Sequence, residues 1–287
     1  MSRQIPKISI VTPSLNQGDY LEKTILSILN QNYPNLEYVI IDGGSKDSSP
    51  QIIKRYENKL AFWISEKDEG QYEAINKGFE KTTGGIMTWL NSDDVLMPGT
   101  LDLVANIFQE LPEVQWVTGI PTVIGQDDLI VHRGYKPTFV RKFIELGFYH
   151  GALLGFIMQE GTFWRRELWE KVGGRVGNLY YGLDYQLWRK FARHSDLTSV
   201  YASLAAFRLN PTRKTKEIEK YYQDIGINFP KILKSLSIPF RLFVHYVLRF
   251  SRISPKIFYN SQDNRWYYSG SGWKDFRFFS RKKIVGP

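Results

Sequence analysis

The sequence contains no cysteine. Disulfides, thiolate metal sites and a cysteine nucleophile are all excluded by that one absence, which also fits a reducing compartment. No apolar run approaches the ~18 residues that a membrane-crossing helix needs, so no transmembrane helix is expected. The opening stretch MSRQIPKISIVTPS has no apolar segment leading to a cleavage site. No secretory signal is therefore expected, and a cytoplasmic location follows. Glycine-rich phosphate cradles are missing too. No Gly-x-Gly-x-x-Gly follows the first predicted strand and no Gly-x-x-x-x-Gly-Lys-Ser/Thr occurs, which removes the dinucleotide and P-loop classes. There is no Gly-x-Ser-x-Gly elbow, and the four histidines (132, 150, 194 and 245) are scattered without metalloprotease spacing.

What is present is a chain of 287 residues, 43% hydrophobic, long enough for one large core and an appendage. Its charge of +9 is unevenly placed: residues 231–287 hold 12 Lys and Arg against Asp263 and Asp275 alone. The remaining 26 basic and 27 acidic residues nearly cancel, so the tail carries the net charge. Such a tail seeks an anionic partner, lipid or nucleic acid. Within it, PFRLFVHYVLRFSRI (239–253) reads as an amphipathic helix. Arg241, His245, Arg249 and Arg252 fall on one stripe less than about 90° wide at ~100° per residue. A helix too short and too basic to span a bilayer suits the interface, with peripheral contact at an anionic membrane. No nucleic-acid motif accompanies the charge, and no nucleic-acid partner is expected.

Ahead of the tail, apolar strands alternate with helices. KISIVT (7–12), LEYVIID (36–42), AFWIS (61–65) and IMTWL (86–90) predict buried strands, the first stopping at Pro13. Helices are predicted after Asp19 as N-cap, over 50–59, over 73–82, over 98–111 and over 184–194. That alternation predicts right-handed βαβ units, an α/β fold with a mostly parallel sheet flanked by helices. In open parallel sheets ligands collect beyond the carboxyl ends of the strands. Here those ends read Thr12, Asp42, Ser65 with Asp68 behind it, and Asn91 to Asp94, so four polar clusters are predicted to meet at one edge.

Two adjacent carboxylates, Asp93 and Asp94, close the strand in MTWLNSDDVLMPG. Buried like charges are costly unless paired or metal-bound. At a ligand-facing rim they are hard oxygen donors suited to Mg²⁺ or Mn²⁺, and through it to a diphosphate. Asp42 is placed to accept hydrogen bonds from a nucleobase or ribose. Each feature alone has a plainer reading. Asp93-Asp94 could cap a helix, Asp42 could form the turn before Gly43-Gly44, Asp184 could be an N-cap, and Trp164, Trp169 and Trp188 read as core.

Taken together, VTPSLNQGDYLEKTILSILNQNYPNLEYVIIDGGSKDSSPQII, SEKDEGQYEAINKGF, WLNSDD, QEGTFWRRELWEKVGG and GLDYQLWRKFA strongly resemble family 2 glycosyltransferases of the GT-A (Rossmann-like) fold, over about residues 7–212. The resemblance implies an inverting transfer of a sugar from a nucleoside-diphosphate donor, UDP- or dTDP-linked, with Mn²⁺ or Mg²⁺ as cofactor. It implies that Thr12, Pro13 and Asp42 hold the nucleobase and that Asp68 lies in the segment closing over the nucleotide. Asp93 would touch ribose or donor sugar and share metal binding with Asp94, and Asp184 would be the catalytic base. Asn91 stands where many relatives carry Asp. In FRLNPTRKT, Asn210 replaces a His common in relatives, with Arg213 and Lys214 as cationic substitutes. The expected organisation is a GT-A-like domain (1–212) and a basic, aromatic helical extension (213–287). The expected acceptor is a saccharide or polyprenyl-linked glycan in surface polysaccharide biosynthesis, met at the inner face of the plasma membrane. Two rivals stay open. A nucleotidyltransferase would want a glycine-rich basic loop where TPSLNQGD stands, and a non-catalytic membrane- or nucleic-acid-binding protein would leave four acidic strand ends unexplained.

Overall fold

Residue alternation on the first strand already separates the two sides of the molecule. In the computed structural model, which describes residues 4–210, 217–227, 254–262, 265–270 and 276–279, β1 (Ile8–Ser14) is wholly buried. Ile8 and Ile10 join one apolar cluster and Val11 the other, so a core lies on each face of the sheet. Parallel to β1 run β2 (Leu36–Asp42), which continues to β3 (Phe62–Ser65), and on its other side β4 (Ile86–Trp89). Between them, α1 (Leu21–Leu29) and α2 (Ser49–Arg55) cover the first face, and α3 (Gln71–Glu80) covers the second.

After β5 (Val95–Leu96) and α4 (Thr100–Glu110), the main sheet continues with β6 (Trp116–Thr118). A small sheet takes β7 (Thr122–Ile124) and β8 (Ile130–Arg133), and α5 (Arg141–Glu145) follows. β9 (Thr162–Arg165) then inserts antiparallel between β4 and β6. α6 (Arg166–Lys171) and α7 (Leu183–Ala192) pack on the second face. β10 (Leu197–Val200) lies parallel beside β6, and β11 (Ala205–Arg208) joins the small sheet between β5 and β7. Beyond α8 (Ile218–Asp224) come β12 (Lys256–Asn260), β13 (Arg265–Ser269) and β14 (Phe276–Phe279). Among the described residues the main sheet thus has ten strands, in the order β14-β13-β12-β10-β6-β9-β4-β1-β2-β3.

The predicted α/β layers and the parallel β1–β4 core are what the structure contains. Several local readings differ. β1 runs through Pro13 to Ser14, because pairing with β4 ends at Val11 and the missing N–H of Pro13 falls beyond it. Asp19 does not cap α1. Tyr20 occupies that position without a side-chain cap bond, and Asp19 is exposed. The helix expected over 50–59 ends at Arg55 and tightens into a 3₁₀ turn at Glu57–Lys59. The amphipathic helix at 239–253 and Arg213 and Lys214 lie outside the described residues. Within the described extension α8 is helical, but residues 256–260 and 265–269 are not: KIFYN and RWYYS are β-formers that pair antiparallel, and β12 adds in parallel to β10.

On the α7 face Trp89, Trp116, Trp164, Trp169 and Trp188 form one block, as expected of core residues. Trp89 stacks on Trp188 at 5.9 Å and meets Trp164 edge-on at 5.4 Å, while Trp116 lies 5.6 Å from Trp188. Such pairs contribute roughly 0.5–1.5 kcal/mol beyond area burial. Their effect here is positional, since they fix α7, the helix that carries Asp184, against β4, β6 and β9.

Candidate active site

β1, β2, β3 and β4 run parallel, so Thr12, Asp42, Ser65 and the Asn91–Asp94 turn do reach one edge. Their exposure differs. Thr12 and Pro13 are buried, with the Thr12 hydroxyl 3.1 Å from the Tyr38 hydroxyl. Asp42 is fully buried. Its Oδ2 accepts from the Ser45 N–H at 2.9 Å and the Ser65 hydroxyl at 2.6 Å, and its Oδ1 accepts from the Ser45 hydroxyl at 2.5 Å. It therefore organises the loop after β2 from beneath. Asp68 is nearer the surface and lies against Gly43. A Cβ there would stand 2.9 Å from Asp68 Oδ2, so glycine is what lets the carboxylate approach the β2 end. Burial pushes the Asp68 carboxyl up, opposed by the bond from Gly70 N–H.

The Asn91-Ser92-Asp93-Asp94 segment is a turn closed by the Asp94 N–H on the Asn91 carbonyl at 3.1 Å. Asp94 is fully buried. Its Oδ1 accepts the Arg208 N–H at 2.9 Å, and its carbonyl accepts the Thr24 hydroxyl at 2.7 Å. Burial raises its carboxyl well above the usual range, reinforced by the charges of Asp93 and Glu160. The Asn91 side chain donates to Asp94 Oδ2 at 3.3 Å and accepts from Gln71 Nε2 at 2.7 Å. Asn210, singled out as a His replacement, donates its side-chain N–H to the Asp93 carboxylate. It thus reaches the acidic turn itself.

Arg208, two residues before Asn210 in FRLNPTRKT, was not singled out in the sequence, yet it reaches the acidic turn. It is fully buried at the end of β11, donating from Nε to the Asp93 carbonyl at 2.8 Å and from Nη1 to the Gly125 carbonyl at 3.1 Å. It also pairs with Asp128 at 2.6 Å and lies 5.2 Å over the Tyr20 ring. The acidic turn, α1 and the small sheet are joined by this one side chain. Removing a buried charged donor leaves its acceptors without partners. Arg208→Leu is expected to lower unfolding free energy by about 2–4 kcal/mol, read by urea denaturation. A loss under about 0.5 kcal/mol would show that the linkage is not structural.

Asp184 lies in the first turn of α7 and is partly buried. Burial pushes its carboxyl up to about 6, against the opposing bond from the Tyr185 N–H at 2.8 Å. Glu160, in the loop before β9, is a second residue missed at the sequence level. It is 5% exposed and its Oε1 has no hydrogen-bond partner. Burial, with the Asp184 and Asp93 charges, pushes it up to about 7. Its clue was a carboxylate inside the apolar run GFIMQEGTFW. Asp224 of α8 holds the approach to Asp184 by accepting the N–H groups of Tyr181 at 2.8 Å and Gly182 at 3.2 Å. Asp224→Ala is expected to cost about 1–2 kcal/mol in urea unfolding. It should also slow turnover about tenfold by loosening Asp184, whereas unchanged turnover would make Asp224 a purely structural anchor.

Among the described residues, no three His, Asp or Glu side chains form a closed metal cage. The donor set still fits a hard divalent cation of the Mg²⁺ or Mn²⁺ kind. Such ions are commonly held by one or two carboxylates, with the substrate's phosphates and water completing the shell. The charges of Asp93 and Glu160 raise the proton affinity of Asp94, that of Asp93 also raises Glu160, and a carboxylate oxygen of Glu160 lacks a partner. That is the electrostatic setting a bound cation relieves.

The parallel sheet thus carries an Asp-Asp turn at its carboxyl edge, with Glu160 linked electrostatically to Asp93 and Asp184. The profile of Glycosyl transferase family 2 matches residues 9–180, more than half of the chain, and the chain belongs to this family. It is a glycosyltransferase. An uncharacterized glycosyltransferase of Rickettsia prowazekii is 26% identical over 250 residues, covering 79% of this chain and 73% of that protein. One from Mycobacterium tuberculosis is 30% identical over 186 residues, covering 63% of this chain and 64% of its own. Among solved structures, S. aureus TarS 1–349 in complex with UDP-GlcNAc superposes with a TM-score of 0.60 at 16% identity, covering 86% of this chain and 74% of that one. The mannosyltransferase PcManGT of Pyrobaculum calidifontis, in complex with GDP-Man and Mn²⁺, gives 0.57 at 18% identity, covering 85% and 71%. These two likenesses establish the fold.

Proposed function

We propose that the protein is an inverting, metal-dependent glycosyltransferase. It moves a sugar from a UDP- or dTDP-linked donor to a hydroxyl of a saccharide or polyprenyl-linked acceptor in surface polysaccharide assembly. The observation that carries this reading is Asp184, a partly buried carboxyl raised to about 6 and linked through Glu160 to Asp93 of the acidic turn. The acceptor oxygen bonds to the anomeric carbon as the bond from that carbon to the diphosphate oxygen breaks. The hydroxyl proton passes to Asp184, and a base whose pKa lies near the working pH is well matched to that transfer. A helix N-terminus behind Asp184 favours its ionised form.

Asp94, with Asp93, would hold Mn²⁺ or Mg²⁺, whose role when bound is to neutralise charge on the departing diphosphate. Asp93 also faces ribose or donor sugar, with Asn210 fixing its carboxylate. On the base side, Thr12, Pro13 and Asp42 shape the floor while Asp68 closes over the nucleotide. The structural neighbours are complexed with UDP-GlcNAc and GDP-Man, nucleoside-diphosphate sugars that differ in base and sugar. Base and sugar choice therefore rests on this chain's own loops. The +10 tail supports peripheral contact with an anionic membrane on the cytoplasmic side. No helix among the described residues is long and apolar enough to cross a membrane.

The test is nucleoside-diphosphate release from UDP-, dTDP- and GDP-sugars with Mn²⁺, with and without a saccharide acceptor. The reading expects acceptor-stimulated release from one donor class, with the opposite anomeric configuration in the product. Retention of configuration, or release untouched by Asp184→Asn, would overturn it.

A further inference from the structure

We propose a second substrate site on the same edge of the sheet, a cleft that takes an anionic segment of the saccharide acceptor. It deepens the proposed function and rests on the protein being a saccharide-directed glycosyltransferase. β6 and β4 both run antiparallel to β9, and β10 and β12 run parallel to β6, so the carboxyl ends of all four point the same way as that of β1. At the ends of β6 and β10, flanked by β12, lies a cleft of about 790 Å³. It is a separate feature from the acidic turn, which ends β4. From β4 to β10 and β12 is three to four strand spacings, roughly 15–20 Å at ~4.8 Å each. That is the reach of a short oligosaccharide, not of a single sugar.

The lining chemistry names the ligand class. Arg133, Lys136 and Lys256 contribute cations, and among the described residues no Asp or Glu lines the cleft. Tyr135, Tyr201 and Phe258 contribute ring faces. Tyr135 is 80% exposed, Lys136 Nζ stands 5.2 Å over the Tyr201 ring, and Phe258 stacks on Tyr267 at 5.7 Å. Flat aromatic faces suit the C–H faces of pyranose rings. Arginine and lysine suit carboxylate or phosphate groups, whose charge-assisted hydrogen bonds are the stronger kind. A uronate- or phosphate-bearing glycan satisfies both, whereas a neutral glycan leaves the cations unused and a lipid tail leaves both unused. The site also has a physical link to the catalytic cluster. Gly119 N–H donates to the Gly161 carbonyl at 3.2 Å, and Ile120 N–H to the Ala202 carbonyl at 2.8 Å, tying the cleft floor to the loop that carries Glu160. Lys256 and Phe258 belong to β12, and Tyr201 follows β10, all beyond the 9–180 family match.

The experiment titrates the full-length protein with tetragalacturonate, maltotetraose and vesicles of phosphatidylglycerol, with glucose 6-phosphate as competitor. Donor stabilisation by UDP or dTDP with Mn²⁺ is followed in the same samples. Tetragalacturonate is expected to bind at least about tenfold more tightly than maltotetraose, and less tightly as salt rises. The Arg133→Gln/Lys136→Gln double variant should lose about tenfold or more of that affinity, and exposed Tyr135→Ser should weaken it without affecting folding. Donor stabilisation should be unchanged in both. Displacement by glucose 6-phosphate assigns phosphate as an accepted group, and its failure assigns carboxylate. Equal binding of the two oligosaccharides would overturn the proposal, as would tetragalacturonate affinity indifferent to the double variant. So would vesicle capture lost in the double variant with no saccharide binding. If donor stabilisation is absent in the wild type while tetragalacturonate binds, it is the donor reading that fails.

Discussion

Asp184→Asn is expected to reduce the rate of sugar transfer by about a thousandfold while leaving donor affinity nearly unchanged, because a general base acts on the transition state and not on donor binding. The same substitution is expected to stabilise the fold. The Asp184 carboxyl is raised from 3.8 to about 6 on folding. Between those values the folded protein holds a proton that the unfolded chain has released, so stability falls as pH rises through about 6. Above that, an ionised Asp184 costs folding free energy, and asparagine removes the cost. The expected gain is about 1–2 kcal/mol at pH 7–8, vanishing as pH falls toward about 4. In the wild type, transfer should fall off below about pH 6 as the base protonates. Paired rate and unfolding measurements across pH test both halves. A variant that is slow and less stable at pH 8 would mean that Asp184 is structural.

Asp94→Asn is expected to abolish metal-dependent donor binding. Asn keeps an acceptor for the Arg208 N–H but removes a buried charge that Asp93 and Glu160 already disfavour. The ligand-free variant should therefore melt at or above the wild-type temperature. At a nucleoside diphosphate concentration of about 100 Kd with Mn²⁺, the wild type should gain about 2.7 kcal/mol, roughly 5–10 °C. The variant should gain none of it. A variant that still responds fully to the diphosphate would remove Asp94 from the metal site.

The α/β layering was legible because short β-branched runs alternate with amphipathic segments, and the rim followed from where those runs end. Asp93 and Asp94 could be placed at the ligand edge on that ground alone. Direction and order beyond β4 could not. Thr162–Arg165 is an apolar run like any other, and nothing in its residues says that it lies antiparallel between β4 and β6. The burial of Asp42 depends on Ser45 and Ser65, serines on two different segments, so its inward turn is a tertiary fact. Glu160 acquires its meaning only from Asp93 and Asp184. Arg208 likewise acts through residues of α1, the acidic turn and the small sheet, distant in sequence and brought together by β11. The strands after residue 254 were obscured because the basic aromatic composition of the tail reads equally as an amphipathic helix.

In the proposed function the acidic turn binds a nucleoside diphosphate through a divalent cation. Calorimetric titration of UDP, dTDP and GDP into the protein, each with and without Mn²⁺, tests it most directly. One diphosphate is expected to bind at least about tenfold more tightly with Mn²⁺ than without it, and Asp94→Asn should erase the difference. Equal binding with and without the metal, or none by any of the three, would contradict the account.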